Sequence, residues 1–205
     1  MTPKTKKALK QLKYLERLVS NHKIRLAAEW KEKWKILIST ILASQSRDVL
    51  TNKISAILYE RYNDPKALGN ASLSEIKRII RPINYYKTKA KHIKETAKII
   101  SEKGIPKTRE KLMKLPGVGR KVANVYLAEA HNAAEIGIDT HVFYIAHKLG
   151  WTKNKKVEDI EQDLKKLFPK RYWRIINYVL VSFGQIYRSR GHKDKLLSQI
   201  KRIKS

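Results

Sequence analysis

Three observations predict an all-α fold. Apolar residues recur at three- and four-residue steps through most of the chain, strict alternation is rare, and β-hairpin turn signals are few. With 205 residues, the chain suits one compact domain or two closely packed lobes rather than several independent modules. The pattern resolves into about ten helices.

The first helix is amphipathic, with Leu9, Leu12, Leu15 and Leu18 on one stripe and Lys and Arg between them. From Trp34 to Ser44 the run WKILISTILAS is apolar nearly all round, as expected of a helix inside the fold. Asp48 is placed to cap the next helix, whose apolar positions are Val49, Ile54, Ile57, Leu58 and Tyr62. Asn63-Asp64-Pro65 signals a turn and then a short helix with proline in its first turn. Ser72 and Glu75 have capping-box spacing at the head of a helix that Arg81-Pro82 brings to an end. A long basic helix from Lys87 to Lys103 rests on Ile93, Ala97 and Ile100 and stops at Gly104. A short helix follows Thr108, reaching Lys114. Thr140 to Leu149 is helical, and Gly150 suits the position just past its end. Val157 to Phe168 and Tyr172 to Tyr187 form two more helices separated at Pro169. The last stretch, residues 188–205, is mostly charge, with Leu196, Leu197, Ile200 and Ile203 on one face.

Composition excludes several classes of function. Lys and Arg number 46 against 18 Asp and Glu, a net charge of +28, while hydrophobic residues make up 42% of the chain, enough for a real core. Such an excess opposes folding by self-repulsion unless a polyanion offsets it, so nucleic acid is the expected partner ahead of an anionic membrane surface. The longest stretch without Asp, Glu, Lys or Arg runs only from Ile175 to Tyr187, short of the roughly 20 apolar residues that span a bilayer. The basic N-terminus lacks the apolar segment of a secretory signal, so the expected location is cytoplasmic, DNA-associated and not secreted. Cysteine is absent, which removes disulfides, thiol nucleophiles and cysteine-ligated metal centres.

The most informative run is Leu115-Pro116-Gly117-Val118-Gly119-Arg120-Lys121, with a short helix leading in and a periodic helix leading out. Two glycines permit a tight turn with positive φ and close approach of a ligand to backbone. The second helix then directs free N–H groups and its positive dipole end outward, as an anion site does. A DNA phosphate held there is bound without reading sequence. Neither a Walker loop nor a Rossmann turn fits, since the Lys-Ser/Thr spacing and a preceding strand are both missing.

Two residues stand out for chemistry. Lys121 falls in the first turn of the outgoing helix, where the helix dipole and Arg120 both disfavour an ammonium. A neutral amine is what a Schiff-base nucleophile requires. Asp139, in Ile138-Asp139-Thr140-His141-Val142, is one of few acids and sits at the mouth of a helix. A capping aspartate is the ordinary reading, and it is compatible with an ionised carboxylate that stabilises positive charge developing on a sugar. His141 has no second histidine or carboxylate at ligand spacing, so no metal site is expected there.

The hairpin run, extended through Ala123-Asn124-Val125 and followed by Asp139-Thr140-His141, resembles the endonuclease III family of helix-hairpin-helix DNA glycosylases with AP lyase activity. Leu42-Ala43-Ser44-Gln45-Ser46-Arg47-Asp48 is similar to that family's Ser-x-Gln-x-x-Asp segment, and Tyr86-x-x-Lys89-Ala90 falls at a comparable run. The resemblance extends from roughly Trp34 to Tyr187. It implies the helix-hairpin-helix DNA glycosylase fold, two helical lobes with a cleft between them. Residues 36–131 are expected to form a central lobe carrying the hairpin, and residues 1–35 and 132–205 a second lobe built from both termini. It implies Lys121 as nucleophile and Asp139 as its catalytic partner, with Gly117, Val118, Gly119 and Arg120 on DNA phosphate. It also implies Gln45 filling the vacated stack, a wedge around Ile83 to Tyr86 that includes Tyr85 and Tyr86, and His141 on the DNA side.

The implied partner is double-stranded DNA carrying a damaged base or an abasic site, bound by a monomer away from any membrane. Family members commonly carry a four-cysteine iron–sulfur motif; this chain runs from Gly184 through His192 without a cysteine, so no cluster is expected. The remaining cofactor is at most a monovalent cation on hairpin carbonyls. Where the family tends to have glycine and an aliphatic wedge, this chain has Asn84 and Tyr85, and Ala134-Glu135-Ile136-Gly137 lacks the proline common ahead of the aspartate. The expected activity is removal of damaged, oxidised pyrimidines followed by β-elimination. The alternatives are a uracil or thymine mismatch glycosylase of the same fold and a non-catalytic helix-hairpin-helix DNA-binding module. A membrane-surface protein is the third, testable by vesicle sedimentation.

Overall fold

The computed structural model describes residues 1–22 and 24–204; Lys23 and Ser205, the end of the expected C-terminal stretch, lie outside them. The described residues form twelve α-helices and one 3-10 turn and contain no strand. They divide into two compact units, residues 25–133 and residues 1–24 with 134–205.

The 25–133 unit is assembled around α2 (Lys33–Ala43), whose residues from Ile36 to Leu42 are all buried. An all-round apolar helix can only be satisfied by neighbours on several sides, and α3 (Asp48–Arg61), α6 (Tyr86–Lys103) and α8 (Arg120–His131) supply them. Short helices α4 (Pro65–Asn70) and α5 (Leu73–Ile79) pack on α6. Asp64 caps α4 by accepting from Ala67 N at 2.8 Å, and Ser72 caps α5 by accepting from Glu75 N at 3.1 Å. Gly69 lets α4 lie against α6, where a Cβ would come within 2.9 Å of Lys98 backbone. Asp48 does not cap α3: Arg47 holds the cap position and Asp48 is the first helical residue, where its charge still favours the helix dipole. Val49 and Ile57, expected on the buried stripe, are exposed, because the buried face of α3 runs through Thr51, Ile54, Ser55 and Leu58.

The boundary of this unit differs from the expected residue 36. Residues 25–35 belong with it, since Asn52 Nδ2 donates to Arg25 O at 2.7 Å and the rings of Trp30 and Trp34 meet Tyr59 edge-on at 4.8 and 5.0 Å. At the other end Ala133 N donates to Leu127 O at 3.1 Å, which carries the unit two residues past the expected end at 131.

The second unit joins α1 (Pro3–Ser20) to α9 (Thr140–Leu149), α10 (Val157–Leu167), α11 (Trp173–Ile186) and α12 (Arg190–Lys201), with the 3-10 turn at Lys170–Tyr172. The leucine stripe of α1 is buried at Leu9, Leu12 and Leu15, with Val19 rather than Leu18 completing it. Helix α1 packs on α10, α11 and α12, and α9 packs on α11 and α12. Gln11 is buried in this core and satisfied on both sides of its amide, donating to Ile200 O at 3.2 Å and accepting from Trp151 Nε1 at 2.7 Å. Among the described residues no helix is long and apolar enough to cross a membrane.

Candidate functional site

The hairpin comprises α7 (Arg109–Leu112), a turn through residues 113–119, and α8. Thr108 caps α7, and Leu112, Leu115, Val118 and Val122 are buried, so an apolar heel roots the turn in the 25–133 core. Gly117 has φ +76°, and its α-carbon faces the His92 ring and Ile41 so closely that a Cβ would lie 2.9–3.0 Å from them. Thr96 Oγ1 donates to Pro116 O at 2.9 Å. The hairpin is thus seated on α2 and α6.

Gly119 is different. It caps α8 at an ordinary φ of −87°, is exposed, and a Cβ there would meet nothing within 4 Å. The fold itself makes no demand for glycine at this position. The bare backbone leaves room for an outside group at the end of a helix where the first amides have no helical acceptor. Val118 does not serve as the amide donor expected of it, because its N–H closes the turn onto Leu115 O at 3.1 Å. Its part is the buried anchor. Arg120 and Lys121 follow in the first turn of α8, both half-buried.

Three non-glycine residues of this unit adopt the left-handed backbone region: Asn132 at φ +51°, which ends α8, and Gln45 at φ +55° and Tyr85 at φ +58°, both exposed. Such conformations carry strain and persist only where neighbouring contacts enforce them. Asn84 Nδ2 donates to Gln45 O at 2.6 Å, so the two segments are tied. Within the expected wedge Asn84 and Tyr85 are exposed, and Tyr85 presents the large ring. Ile83 is buried at 1% exposure, which takes it out of the wedge, and Tyr86 is half-buried and packs partly against the core.

In the other unit, Asp139 is half-buried and caps α9, its Oδ1 accepting from Val142 N at 2.8 Å. The cap fixes the carboxylate in place and keeps its acceptor character. His141 is half-buried, and its ring lies over buried Gly184 of α11, where a Cβ would fall 2.1 Å from Nδ1. It packs α9 onto α11.

The structure also gives a role to Lys89, which the sequence placed in the Tyr86-x-x-Lys89-Ala90 run without assigning it one. Lys89 on α6 is 6% exposed. Its Nζ donates to Leu42 O at 2.8 Å, Ser44 O at 2.5 Å and Ser46 Oγ at 3.1 Å. Burial pushes its ammonium down to about 8, which leaves it protonated at neutral pH. A signal was present: Lys89 lies on the same helical stripe as the buried Ile93, Thr96 and Ile100, at steps of four, three and four.

Comparison with known proteins agrees with this geometry. A profile of HhH-GPD superfamily base excision DNA repair proteins matches residues 38–170. Endonuclease III of Thermotoga maritima is 39% identical over 155 residues, 74% of this chain and 73% of that protein. Endonuclease III of Escherichia coli K12 is 33% identical over 180 residues, covering 86% and 85%. A trapped endonuclease III–DNA covalent intermediate superposes with a TM-score of 0.82 at 30% identity, over 92% of this chain and 89% of that one. The chain belongs to the HhH-GPD superfamily of base excision DNA repair proteins and, within it, to the endonuclease III family.

Proposed function

We propose that the protein is a base excision DNA glycosylase with AP lyase activity, acting on oxidised pyrimidines in duplex DNA. The observation that carries this reading is the hairpin: an exposed Gly119 at whose Cβ position nothing lies within 4 Å, with Lys121 two residues on in the first helical turn. Its backbone grips the strand without reading bases, as a repair enzyme scanning for damage requires.

In the proposed sequence a damaged nucleotide is extruded from the stack. The Lys121 amine forms a bond to the sugar C1′ as the N-glycosidic bond breaks, the base leaving with that electron pair and taking up a proton. Asp139 stabilises the positive charge developing on the sugar and accepts a proton from the attacking amine. Opening of the sugar ring gives an imine, which acidifies the C2′ proton. Loss of that proton breaks the C3′–O bond, nicking the strand 3′ to the abasic site, and water then frees Lys121.

The iron–sulfur cluster suggested by the family resemblance does not fit this chain, which has no cysteine. The residues after Tyr187 instead form α12, held by ordinary helix packing through Leu197 and Ile200. A monovalent cation on the hairpin carbonyls fits in part, because Pro116 O and Leu115 O already accept one hydrogen bond each and retain a lone pair.

Borohydride trapping on a duplex with a single abasic site tests the lyase. A covalent adduct is expected with wild type and none with Lys121→Ala. Base release that survives Lys121→Ala would replace the lyase with a water-dependent glycosylase. Asp139→Asn keeps an oxygen for the α9 cap, so it is expected to fold and bind DNA with turnover reduced at least about a hundredfold. Near-normal turnover would remove Asp139 from its role.

A further inference from the structure

Helix α2 ends at Ala43, and the carbonyls of its last turn have no acceptor role left within the helix. The chain then turns through Ser44, Gln45 and Ser46 to reach α3. One oxygen on each of these three residues is held by the segment at the head of α6. Ser44 O and Ser46 Oγ accept from Lys89 Nζ, and Gln45 O accepts from Asn84 Nδ2. Lys89 also takes Leu42 O, so its three N–H donors meet three oxygens, a full match for an ammonium.

A charge is a costly way to fill this space. An aliphatic side chain of similar length would pack the inner face of α6 without the desolvation penalty. What the ammonium adds is direction: it holds the Ser44 carbonyl on one side and the Ser46 hydroxyl on the other side of a residue whose own backbone is in the left-handed region at φ +55°. Left free, a non-glycine residue leaves that region for an ordinary conformation.

We propose that Lys89, assisted by Asn84, is a positioning residue for Gln45. The two side chains lock the 44–46 turn so that Gln45 is presented ready to occupy the gap left by an extruded nucleotide. The ordering cost is met in the free protein rather than on the DNA. This inference rests on the base-excision reading, and on Gln45 as the residue that fills the stack.

A double-mutant cycle tests it. The readouts are the affinity for a duplex with one tetrahydrofuran abasic analogue relative to the same duplex intact, and the trapping rate on an abasic-site duplex. Lys89→Met is expected to lower the preference for the abasic duplex about tenfold, the factor set by losing the left-handed conformer. Gln45→Ala is expected to lower it at least as much, and Lys89→Met added to Gln45→Ala to cost nothing further. A merely structural lysine would give additive losses, and that result overturns the proposal. So does an unchanged preference in Lys89→Met. Asn84→Ala removes a surface side chain and repeats the cycle with a variant that folds even if Lys89→Met does not; additive losses there count equally against it. If wild type neither prefers the abasic duplex nor yields an adduct, the base-excision reading fails and this inference falls with it. Failure of the cycle with an active wild type removes the inference alone.

Discussion

A methyl group added at Gly117 would lie 2.9 Å from His92 Nδ1 and 3.0 Å from Ile41 Cγ2, on a backbone at φ +76°. Gly117→Ala is therefore expected to cost about 1–3 kcal/mol, from left-handed strain and crowding together. Two residues further on, the same substitution meets open space at φ −87°. Gly119→Ala is expected to leave the melting temperature nearly unchanged, a gain of about 0.4–1 kcal/mol from a less disordered unfolded chain being offset by the poorer N-cap that alanine makes for α8. Its effect should appear on DNA, where the methyl blocks close approach of a phosphate to the amides of α8; a loss of about tenfold in affinity corresponds to one charge-assisted hydrogen bond. Thermal unfolding and duplex binding of the two variants separate these roles. A Gly119→Ala protein that binds DNA normally would show that the opening at this turn is not where the strand sits.

Helix α6 organises more of the candidate site than any other element of its unit. Its inner face carries Lys89 against the Gln45 turn, His92 against Gly117 and Thr96 onto Pro116 O. Lys94 serves α4 in the way Lys89 serves α2, donating to Gly69 O at 3.0 Å and Ala71 O at 2.5 Å. Element ends were legible wherever a cap or breaker marks them, as at Asp64-Pro65, Ser72, Gly104, Thr108 and Gly150. The hairpin was legible because its glycines, anchor and helix lie within one short run. Lys89 was not, because its acceptors lie 43 to 47 residues away and are mostly backbone oxygens, which have no side-chain signature. The packing of His141 on Gly184 was hidden for a similar reason, since the two are distant in sequence. In the other unit, α12 is docked on α9 by Tyr144, whose hydroxyl donates to Asp194, and by Lys148 at 3.2 Å from the same carboxylate. These partners, the tyrosine hydroxyl foremost, hold the Asp194 carboxyl below its ordinary 3.8. A lowered folded value means that the tie is complete above 3.8 and is lost as pH falls through the lower folded value. The melting-temperature difference between wild type and Asp194→Asn is expected to hold steady from about pH 7 to about pH 4.5 and to shrink below 3.8. A difference that persists unchanged at about pH 2.5 would rule out this carboxylate as the source of the tie.

Net charge acts on the whole chain, and its two consequences have opposite dependence on salt. At +28 the folded protein crowds like charges that the unfolded chain keeps apart. Added salt shortens the screening length from about 30 Å at 0.01 M to about 8 Å at 0.15 M, so the melting temperature of the free protein should rise with salt. Binding to duplex DNA should weaken over the same range, because each phosphate neutralised releases condensed counterions and the slope of log affinity against log salt is about −0.9 per contact. Several contacts would lower affinity by about 10³-fold or more between 50 and 200 mM. The two measurements cross: at low salt an added duplex should raise the melting temperature strongly, since it binds only the folded state and relieves the repulsion, and at high salt it should raise it little. Thermal unfolding with and without a short duplex, across a salt series, checks both signs in one experiment. A free protein whose stability is indifferent to salt would mean that its basic residues are already paired or spread widely enough not to repel, and would remove the energetic case for a polyanion as the partner this composition is built to meet.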